Sequence, residues 1–337
     1  MKKIILLPIM MAVSVLLTAC VGFKAEKEYS ETFMAMDTVI SITCYGKESK
    51  EAVEAVRSEI TRLDNLFSVG NNESDISRIN STFSAEVSTE TVELINISNE
   101  IYDRTGGTFC ISVRPLMKLW GFEDGKLNIP DENEISAVLK TIAQDDIVIN
   151  NGIVTIPEGS GIDFGGIAKG YAGEKITKIL EQYDVRYAVA SLGGNIQCYG
   201  KKKDGSPFKI AIKNPNPDRG EIIGAVNVDA KSVVTSGAYE RFFTDEDGRI
   251  YCHIINPKTG HPVESDITSI TIISENGTYA DALSTACFVM GKDNTIKFWK
   301  EHKNEFDFVM ITEKDEIYVS SGIAKQFNSE NKTITVE

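Results

Sequence analysis

The segment at residues 163–172 has the sequence DFGGIAKGYA and places two glycines directly ahead of a predicted helix. Backbone N–H groups at a helix start are unpaired and lie at the positive end of the helix dipole, so this segment predicts an anion-binding turn. Lys169 falls in the first helical turn, where a cation opposes the dipole, and this favours a ligand-binding role for its amine. An ordinary glycine turn followed by a solvated lysine is the alternative interpretation.

The spacing of these glycines excludes two common nucleotide-binding folds. A Walker loop requires Lys and then Ser or Thr directly after its last glycine, whereas Tyr171 and Ala172 follow Gly170. The dinucleotide fingerprint G-x-G-x-x-G is also absent, because the glycines read GGxxxG. A phosphate site at this segment therefore belongs to a different fold.

Helical and strand patterns alternate along the chain without a sustained βαβ series. Helical spacing of apolar residues predicts helices at 48–67, 75–80, 89–104, 131–141, 167–183, 279–290 and 292–302. Apolar and β-branched runs predict strands at 37–45, 187–190, 208–212, 224–228, 232–235, 251–256, 269–273, 308–311 and 316–320, with a hairpin at 147–156. Because no internal repeat or linker divides the body, the predicted fold class is α+β.

Composition limits both the size of the core and the class of partner. The chain has 337 residues, of which 42% are hydrophobic, which suits one large globular domain or two small ones. A formal net charge of -14 argues against nucleic acid as a partner, since neutralising phosphates requires a basic face. Five cysteines besides Cys20, without a C-x-x-C pair, make a disulfide framework or a zinc site improbable.

The N-terminus has the pattern of a secretion signal. Lys2 and Lys3 precede an apolar run at 4–17, and the sequence LTAC at 17–20 resembles a bacterial lipobox, in which the cysteine is lipidated. We therefore predict a lipoprotein signal peptide at 1–19, a polar lipid-anchored tether at 20–32 beginning with lipidated Cys20, and a folded domain at 33–337. An ordinary cleaved signal with an incidental cysteine is the alternative.

The sequence YADALSTA at 279–286 carries a candidate metal site. Asp281 and Thr285 are four residues apart and so share one face of a helix, with Ser284 beside them. A carboxylate with hydroxyls, and no His or Cys, is a hard-oxygen set suited to Mg²⁺. The alternative is a helix N-terminal charge at Asp281 and core packing at Thr285.

His253 is the candidate general base. It ends a predicted strand in the sequence HIINPKTG, ahead of a turn with Pro257 and Gly260, and the unperturbed pKa of histidine lies near working pH. A structural histidine remains the alternative. The apolar loop at 109–122, which contains Trp120, is by itself typical of core packing.

The motifs SLGGN, TSGAYER, HIINPKTG and YADALSTA, in this order after DFGGIAKGYA, resemble those of the ApbE family of FAD:protein FMN transferases. The resemblance implies an ApbE-like, T-fold-related single large domain with antiparallel sheets and flanking helices. It also implies a magnesium-dependent enzyme that splits FAD, attaches FMN through a phosphoester to a threonine of a partner protein and releases AMP. The expected partner is an extracytoplasmic redox protein, and the expected location is extracytoplasmic, lipid-anchored to the bacterial cell membrane.

The resemblance also implies roles for individual residues. The implied FAD contacts are Met36, Gly70, Trp120, Gly121, Phe122, Asp163, Lys169 and Ile255. The implied Mg²⁺ ligands are the backbone oxygen of Gly166 and the side chains of Asp281 and Thr285, with Ser284 close by. His253 is expected to accept the proton of the attacking hydroxyl, while Lys169 and the metal stabilise the phosphoryl charge.

The chain departs from the family pattern at four positions. Gly70 stands where many relatives have a larger residue, often Tyr, and Asn256 stands where Asp is usual. Cys110 and Arg114 replace the usual Asp and Gly. A more open pocket at Gly70 keeps hydrolysis of FAD to FMN and AMP as an alternative function, and a flavin-binding lipoprotein without turnover is a third. The sequence TSGAY at 235–239 resembles the family's acceptor sequence but ends in Tyr, so self-modification is not expected.

Overall fold

The structure is a computed structural model that describes residues 25–123, 125–216, 218 and 220–337. The predicted signal peptide at 1–19 and the lipidation site at Cys20 lie outside the described residues. Within the described part of the chain, no helix is both long enough and apolar enough to cross a bilayer.

Eight α-helices are present among the described residues. They are α1 (Ser49–Phe67), α2 (Asp75–Thr82), α3 (Thr89–Arg104), α4 (Arg114–Leu119), α5 (Glu132–Leu139), α6 (Ala168–Leu180), α7 (Gly277–Met290) and α8 (Lys292–Glu301). Side-chain caps start several of them: Ser74, Ser88 and Asn276 each accept a hydrogen bond from a backbone N–H of the first turn. All seven predicted helices are confirmed, with ends that differ by a few residues, and the short helix α4 was missed.

The strands are β1 (Lys27–Ala35), β2 (Thr38–Gly46), β3 (Ser84–Glu86), β4 (Val148–Asn150), β5 (Ile153–Thr155), β6 (Val185–Leu192), β7 (Asn195–Gly200), β8 (Phe208–Lys213), β9 (Ile222–Val228), β10 (Ser232–Gly237), β11 (Phe242–Thr244), β12 (Ile250–Cys252), β13 (Ile267–Ser274), β14 (Asp307–Thr312), β15 (Ile317–Ser320), β16 (Phe327–Asn328) and β17 (Thr333–Val336). Nine of them form the main sheet in the order β1-β2-β6-β7-β10-β13-β14-β15-β17. Its neighbours are antiparallel except β15 and β17. The predicted α+β class with antiparallel sheets is confirmed.

Strand β1 corrects the predicted domain boundary. It pairs with β2 along its whole length, from Lys27 opposite Gly46 to Ala35 opposite Thr38, so the tether predicted at 20–32 is wrong for residues 27–32. The segment escaped prediction because β1 is an edge strand whose exposed positions are polar except for Met34 and whose inward positions include Glu31. The Glu31 carboxylate pairs with Arg57 on α1, which lets a charged residue occupy the inward face.

Alternate residues of the central strands face two different core clusters. Val234 and Ile272 pack in the cluster shared with α1, α6 and α7, whereas Val233 and Ile273 pack against β8 and β9. This is the period-two alternation of a strand that is buried on both faces. The main sheet therefore lies between a layer of helices and the smaller sheet β16-β9-β8.

Helices α6 and α7 approach each other at Gly170. A Cβ atom added at Gly170 would lie 2.2 Å from the carbonyl oxygen of Gly277 and 2.6 Å from the Cβ of Asp281. Only glycine fits such a contact without a shift of the backbone. The glycine thus sets the distance between the helix that follows DFGGIAKGYA and the helix that carries Asp281.

Replacing Gly170 with Ala should lower the free energy of unfolding by about 1–3 kcal/mol, because the new methyl group overpacks the α6–α7 contact. Urea denaturation measures the loss. Gly70→Ala is the matched control, since the nearest atom to its added Cβ is the Ser68 Oγ at 3.6 Å. Equal stability of the two variants would show that the helices are not in this contact.

Candidate active site

The glycine turn before α6 is held by its own carboxylate. Asp163 accepts a hydrogen bond from the Gly165 N–H through Oδ1 at 2.5 Å, and its own N–H donates to the Ile111 carbonyl at 2.8 Å. Dense packing of protein atoms around this half-buried side chain raises the pKa of Asp163. The N–H groups of Ile167 and Ala168 both donate to the Phe164 carbonyl.

Most amides of the turn are therefore already engaged, which revises the prediction of an anion seat built from free N–H groups. The remaining positive group at this place is the Lys169 ammonium, whose Nζ donates to the Gly165 carbonyl at 3.0 Å. This bond folds the lysine back over the turn that precedes it. Lys169 is therefore the positive group that this turn offers to an anion.

The carboxylate of Asp281 lies directly beneath the same turn. Asp281 is 4% exposed, and its Oδ2 accepts the Gly170 N–H at 2.8 Å. The position of a Cβ at Gly166 would be 3.4 Å from the Oγ1 of Thr285, which places the next turn of α7 against the same loop. The structure thus places Thr285 beside Gly166 and Asp281 beside Gly170, and the metal-ligand roles that the resemblance implies for Gly166, Asp281 and Thr285 stay predictions.

Ser284 supports this arrangement from inside the helix. Its side chain is fully buried, its Oγ donates to the Asp281 carbonyl at 2.7 Å, and it shares a 2.7 Å hydrogen bond with the Ser236 Oγ on β10. These bonds fix the turn of α7 that presents Asp281. A role of Ser284 as a metal ligand stays a prediction.

The donor set fits a hard divalent cation. A buried carboxylate is costly unless a cation or several hydrogen bonds compensate its charge, and no Lys, Arg or His of the described chain forms an ion pair with Asp281. Carboxylate, hydroxyl and carbonyl oxygens are the ligands that Mg²⁺ prefers. Within the described residues there is no group of three or more His, Cys, Asp or Glu that could hold a metal, so the site depends on uncharged oxygens as well.

His253 follows β12 directly and is held in one tautomer. Its Nδ1 lies 3.1 Å from the carbonyl oxygen of Arg241, and because a carbonyl only accepts, Nδ1 carries the proton. The Nε2 atom of the neutral ring is then free to accept a proton. Burial lowers the pKa of His253 to about 4, and the positive charges of Arg241 and Lys169 act in the same direction.

Glu240 is a site residue that the sequence reasoning missed. It precedes Arg241 at the end of the motif TSGAYER, and its Oε1 lies 3.5 Å from the position of a Cβ at Gly194. The protein atoms packed around one side of this otherwise exposed side chain raise the pKa of Glu240 to about 7; the charge of Lys169 opposes the rise and that of Asp281 adds to it. The sequence signal that could have identified Glu240 is its position in the motif TSGAYER, between Tyr239 and Arg241.

Trp120 and Ile255, for both of which the resemblance implies contact with FAD, lie in one buried cluster. Trp120 is 2% exposed, donates its Nε1 proton to the Gly260 carbonyl at 2.9 Å and packs against Tyr251. Phe122 and Ile255 belong to the same buried cluster. The core-packing interpretation is correct for the indole ring, and contact of this ring with a ligand stays a prediction.

Gly121 and Met36 occupy turns with left-handed backbone. Gly121 has φ of +77°, and a Cβ there would lie 2.0 Å from the Lys126 carbonyl oxygen. Met36 and Asp37 form the β1–β2 turn with φ of 52° and 56°, and positive φ at both central residues is what a two-residue hairpin turn of type I′ requires. Gly70 is exposed and has open space beside it.

A cavity of about 420 Å³ lies elsewhere, where the start of α7 meets the loop after α8. Arg104, Lys231, Tyr279 and Phe306 are among its lining residues. None of the predicted site residues lines it. The chemistry of the site therefore depends on the α6–α7 contact and not on this cavity.

Comparison with known proteins adds an independent line of evidence. The sequence profile of the ApbE family matches residues 36–310. Proteins named FAD:protein FMN transferase from Klebsiella pneumoniae and Treponema pallidum are each 28% identical, the first over 88% of this chain and 93% of its own length, the second over 90% of both. The crystal structure of the ApbE protein from Thermotoga maritima superposes with a TM-score of 0.81 at 32% identity, covering 88% of this chain and 98% of that one.

Replacing Asp281 with Asn should weaken Mg²⁺ binding by at least about tenfold, because the amide removes the charged oxygen at the α6–α7 contact. Titration calorimetry with Mg²⁺ in the presence of FAD measures the affinity. Asp293→Asn on α8, where the side chain is 91% exposed, is the matched control and should bind Mg²⁺ as the wild type does. An unchanged affinity in the Asp281 variant would remove this residue from the metal site.

The lowered pKa of His253 predicts a pH-dependent loss of stability. The unfolded chain binds a proton at this residue near pH 6.5 and the folded chain only near pH 4, so the free energy of unfolding falls as the pH drops between these values. The contribution is at most about 3 kcal/mol. Denaturation at pH 7 and pH 4.5 should show a smaller acid loss for His253→Gln than for the wild type. An NMR titration midpoint near 6.5 for His253 would contradict the argument.

Proposed function

Because the chain belongs to the ApbE family, we propose that it is a magnesium-dependent FAD:protein FMN transferase that attaches FMN to a threonine of an acceptor protein and releases AMP. The observation that carries the proposal is the contact of the glycine turn with α7, where the Gly170 N–H binds the Asp281 carboxylate at 2.8 Å. This contact combines Lys169, a buried carboxylate and uncharged oxygens at one point. A diphosphate with a divalent cation is the ligand that satisfies all three.

The metal is proposed to be held by Asp281, Thr285 and the backbone oxygen of Gly166. When bound, Mg²⁺ supplies positive charge to the diphosphate oxygens during transfer. Lys169 contributes a second positive charge from the turn, in the place fixed by its bond to Gly165. Asp163 holds that turn through the Gly165 N–H and so positions the lysine.

The transfer step needs a base for the acceptor hydroxyl. We assign this role to His253, since its Nδ1 proton is held by the Arg241 carbonyl and its Nε2 is free. The threonine oxygen forms a bond to the phosphorus of the FMN half, the bond from that phosphorus to the AMP oxygen breaks, and the hydroxyl proton passes to Nε2. AMP leaves with the electrons of the broken bond.

We also propose that the protein acts outside the cytoplasm, anchored to the bacterial membrane by acyl chains on Cys20. The support is the sequence at 1–20, where two lysines and an apolar run end in LTAC. The acceptor is then an extracytoplasmic protein, for which a redox protein is the expected class. Labelling cells with a radioactive fatty acid and comparing Cys20→Ala with the wild type tests the anchor.

One observation favours hydrolysis of FAD as a second candidate function. Gly70 is exposed, and apart from its own chain neighbours and the Ser68 Oγ no atom of the described structure lies within 4 Å of an added Cβ. Water can enter where relatives have a larger side chain, and it can then replace the acceptor hydroxyl. The product of that reaction is free FMN and AMP.

Incubation of the mature protein with FAD and Mg²⁺ separates these functions. AMP that forms only with a threonine-bearing acceptor, together with covalent FMN on that acceptor by mass spectrometry, supports the transferase. AMP without an acceptor supports the hydrolase, and FAD binding without AMP supports a flavin carrier.

Replacing His253 with Ala should lower the transfer rate by about 10²–10⁴-fold while FAD binding is retained, because the variant loses the proton acceptor and keeps the diphosphate site. Flavin fluorescence measures binding, and covalent FMN measures transfer. His302→Ala is the control, since this histidine pairs with Glu305 at a distance from the site and should transfer at the normal rate. Normal transfer by the His253 variant would assign the base elsewhere.

A further inference from the structure

Arg241 joins the candidate base to the loop at 120–122. Its backbone carbonyl accepts two hydrogen bonds from His253, one from the backbone N–H at 2.9 Å and one from Nδ1 at 3.1 Å. Its side chain extends in the other direction, where Nη2 donates to the Phe122 carbonyl at 2.9 Å. One residue therefore contacts both the candidate base and a loop for which the resemblance implies contact with FAD.

The position of the Arg241 carbonyl depends on contacts outside the β11–β12 hairpin. The two strands have three residues each, and they pair with each other and with no other strand of the described chain. A two-stranded sheet of this size is marginally stable by itself in water. Arg241 and His253 lie one residue beyond the pair of Phe242 and Cys252, at the open end of the hairpin, where a short sheet frays most readily.

Two kinds of contact hold this hairpin to the loop. In the middle of the hairpin, Phe243 packs against Phe122 with ring centroids 5.6 Å apart, and Tyr251 packs against Trp120 at the same distance. At the open end, the Arg241 guanidinium bonds to the Phe122 carbonyl. The aromatic rings thus fix the middle of the hairpin, and the guanidinium fixes the end that carries the candidate base.

We propose that Arg241 is a positioning residue for the transfer reaction, whose side chain anchors the backbone carbonyl that holds the Nδ1 proton of His253. The inference rests on the proposed transferase function and on the role of His253 in it. With Nδ1 bound to the carbonyl, the lone pair of the neutral ring is on Nε2, the atom assigned to accept the hydroxyl proton. A ring released from the carbonyl exchanges between its two tautomers, so fewer molecules carry the reactive form.

The charge of Arg241 acts on the same ring. Burial is the main cause of the lowered pKa of His253, and the charges of Arg241 on the hairpin and Lys169 on α6 lower this pKa further. The hydrogen bond to the Arg241 carbonyl acts in the opposite direction. The guanidinium therefore helps to keep the ring neutral, while the carbonyl of the same residue selects its tautomer.

Substitutions of two arginines on this hairpin test the proposal. Arg241→Met removes the charge and the hydrogen bond, whereas Arg241→Lys keeps a charge and a donor. Arg249→Met is the matched control, since Arg249 belongs to the same hairpin and pairs with Glu264. Circular dichroism and FAD binding verify that the variants are folded, and the neutral variant Arg241→Gln replaces Arg241→Met if the latter does not fold.

The first readout is the tautomer of His253, measured by NMR on the full chain in detergent with nitrogen-15 in its three histidines. The wild type should carry the proton on Nδ1 at neutral pH. Arg241→Met should lower the ratio of this tautomer to the other by about fivefold and raise the titration midpoint of the ring, because it weakens a hydrogen bond and removes a positive charge. Arg241→Lys and Arg249→Met should keep the wild-type ratio. An unchanged ratio in Arg241→Met would overturn the proposal, whatever happens to the midpoint.

The second readout is the transfer rate with a threonine-bearing acceptor. Arg241→Met should lower kcat by about tenfold and change the FAD affinity by less than about twofold, with partial recovery of kcat in Arg241→Lys. A larger loss of FAD affinity than of kcat would assign Arg241 to the loop and not to the base. An equal loss of kcat in Arg249→Met would show a general effect of the hairpin. Either result would overturn the proposal.

The tautomer measurement needs no turnover, so it separates this inference from the function on which it rests. If the wild type released no AMP with any threonine-bearing acceptor, the transferase function would be refuted, and a tautomer change in Arg241→Met would still support the positioning of His253 by Arg241. If the wild type transferred FMN and the tautomer ratio of Arg241→Met stayed unchanged, the function would stand and the inference would fail.

Discussion

The hydrogen bond from the Gly170 N–H to the buried Asp281 carboxylate is the contact on which the site depends. It joins helices whose residues are 111 positions apart in the chain, and it is possible only because Gly170 lacks a Cβ that would meet Gly277 and Asp281. Both helices pack on the same face of the nine-stranded sheet, which holds them in register. The Asp281 carboxylate has almost no contact with solvent and no ion-pair partner among the described residues, which is electrostatically unfavourable. The stability of the large core maintains this arrangement.

The charge of Lys169 acts on two titratable side chains near this contact, His253 and Glu240. Lys169 lies over the glycine turn, and its charge acts on His253 on one side and on Glu240 on the other. Burial, with smaller contributions from the charges of Arg241 and Lys169, keeps His253 neutral, which is the form that accepts a proton. Burial raises the pKa of Glu240 and the charge of Asp281 adds to the rise, so this carboxyl is also pushed towards its neutral form. The charge of Lys169, which is proposed to bind the diphosphate, thus also acts on the proposed base His253 and on Glu240.

Much of this could be read from the sequence where a residue's chemistry and its periodicity agreed. Asp281 and Thr285 were predicted on one helix face because the spacing of four residues fixes that geometry, and the structure sets Thr285 against Gly166 and Asp281 against Gly170. Strand β1 was missed because its charged residues hide the alternation, and the pairing of Glu31 with Arg57 that permits them is a tertiary contact. The engaged amides of the glycine turn and the burial of Trp120 were also beyond the sequence, since both depend on which partners the fold supplies. The position of Glu240 beside the turn at Gly194 could not be predicted either, because the two residues are distant in the chain.

The geometry also bears on the competition between protein hydroxyl and water. A base with a pKa near 4 is a weak proton acceptor, so His253 gains little from activating a freely diffusing water molecule. A hydroxyl that is held in place by its own polypeptide needs less driving force, because binding has already removed the entropic cost of bringing it to the phosphorus. In the proposed function, a hydroxyl held at the Nε2 of His253 has this advantage, whereas the open space at Gly70 favours water. Under the proposed function, the balance between transfer and hydrolysis would follow from how well an acceptor hydroxyl is held at His253, and not from a difference in the reacting groups.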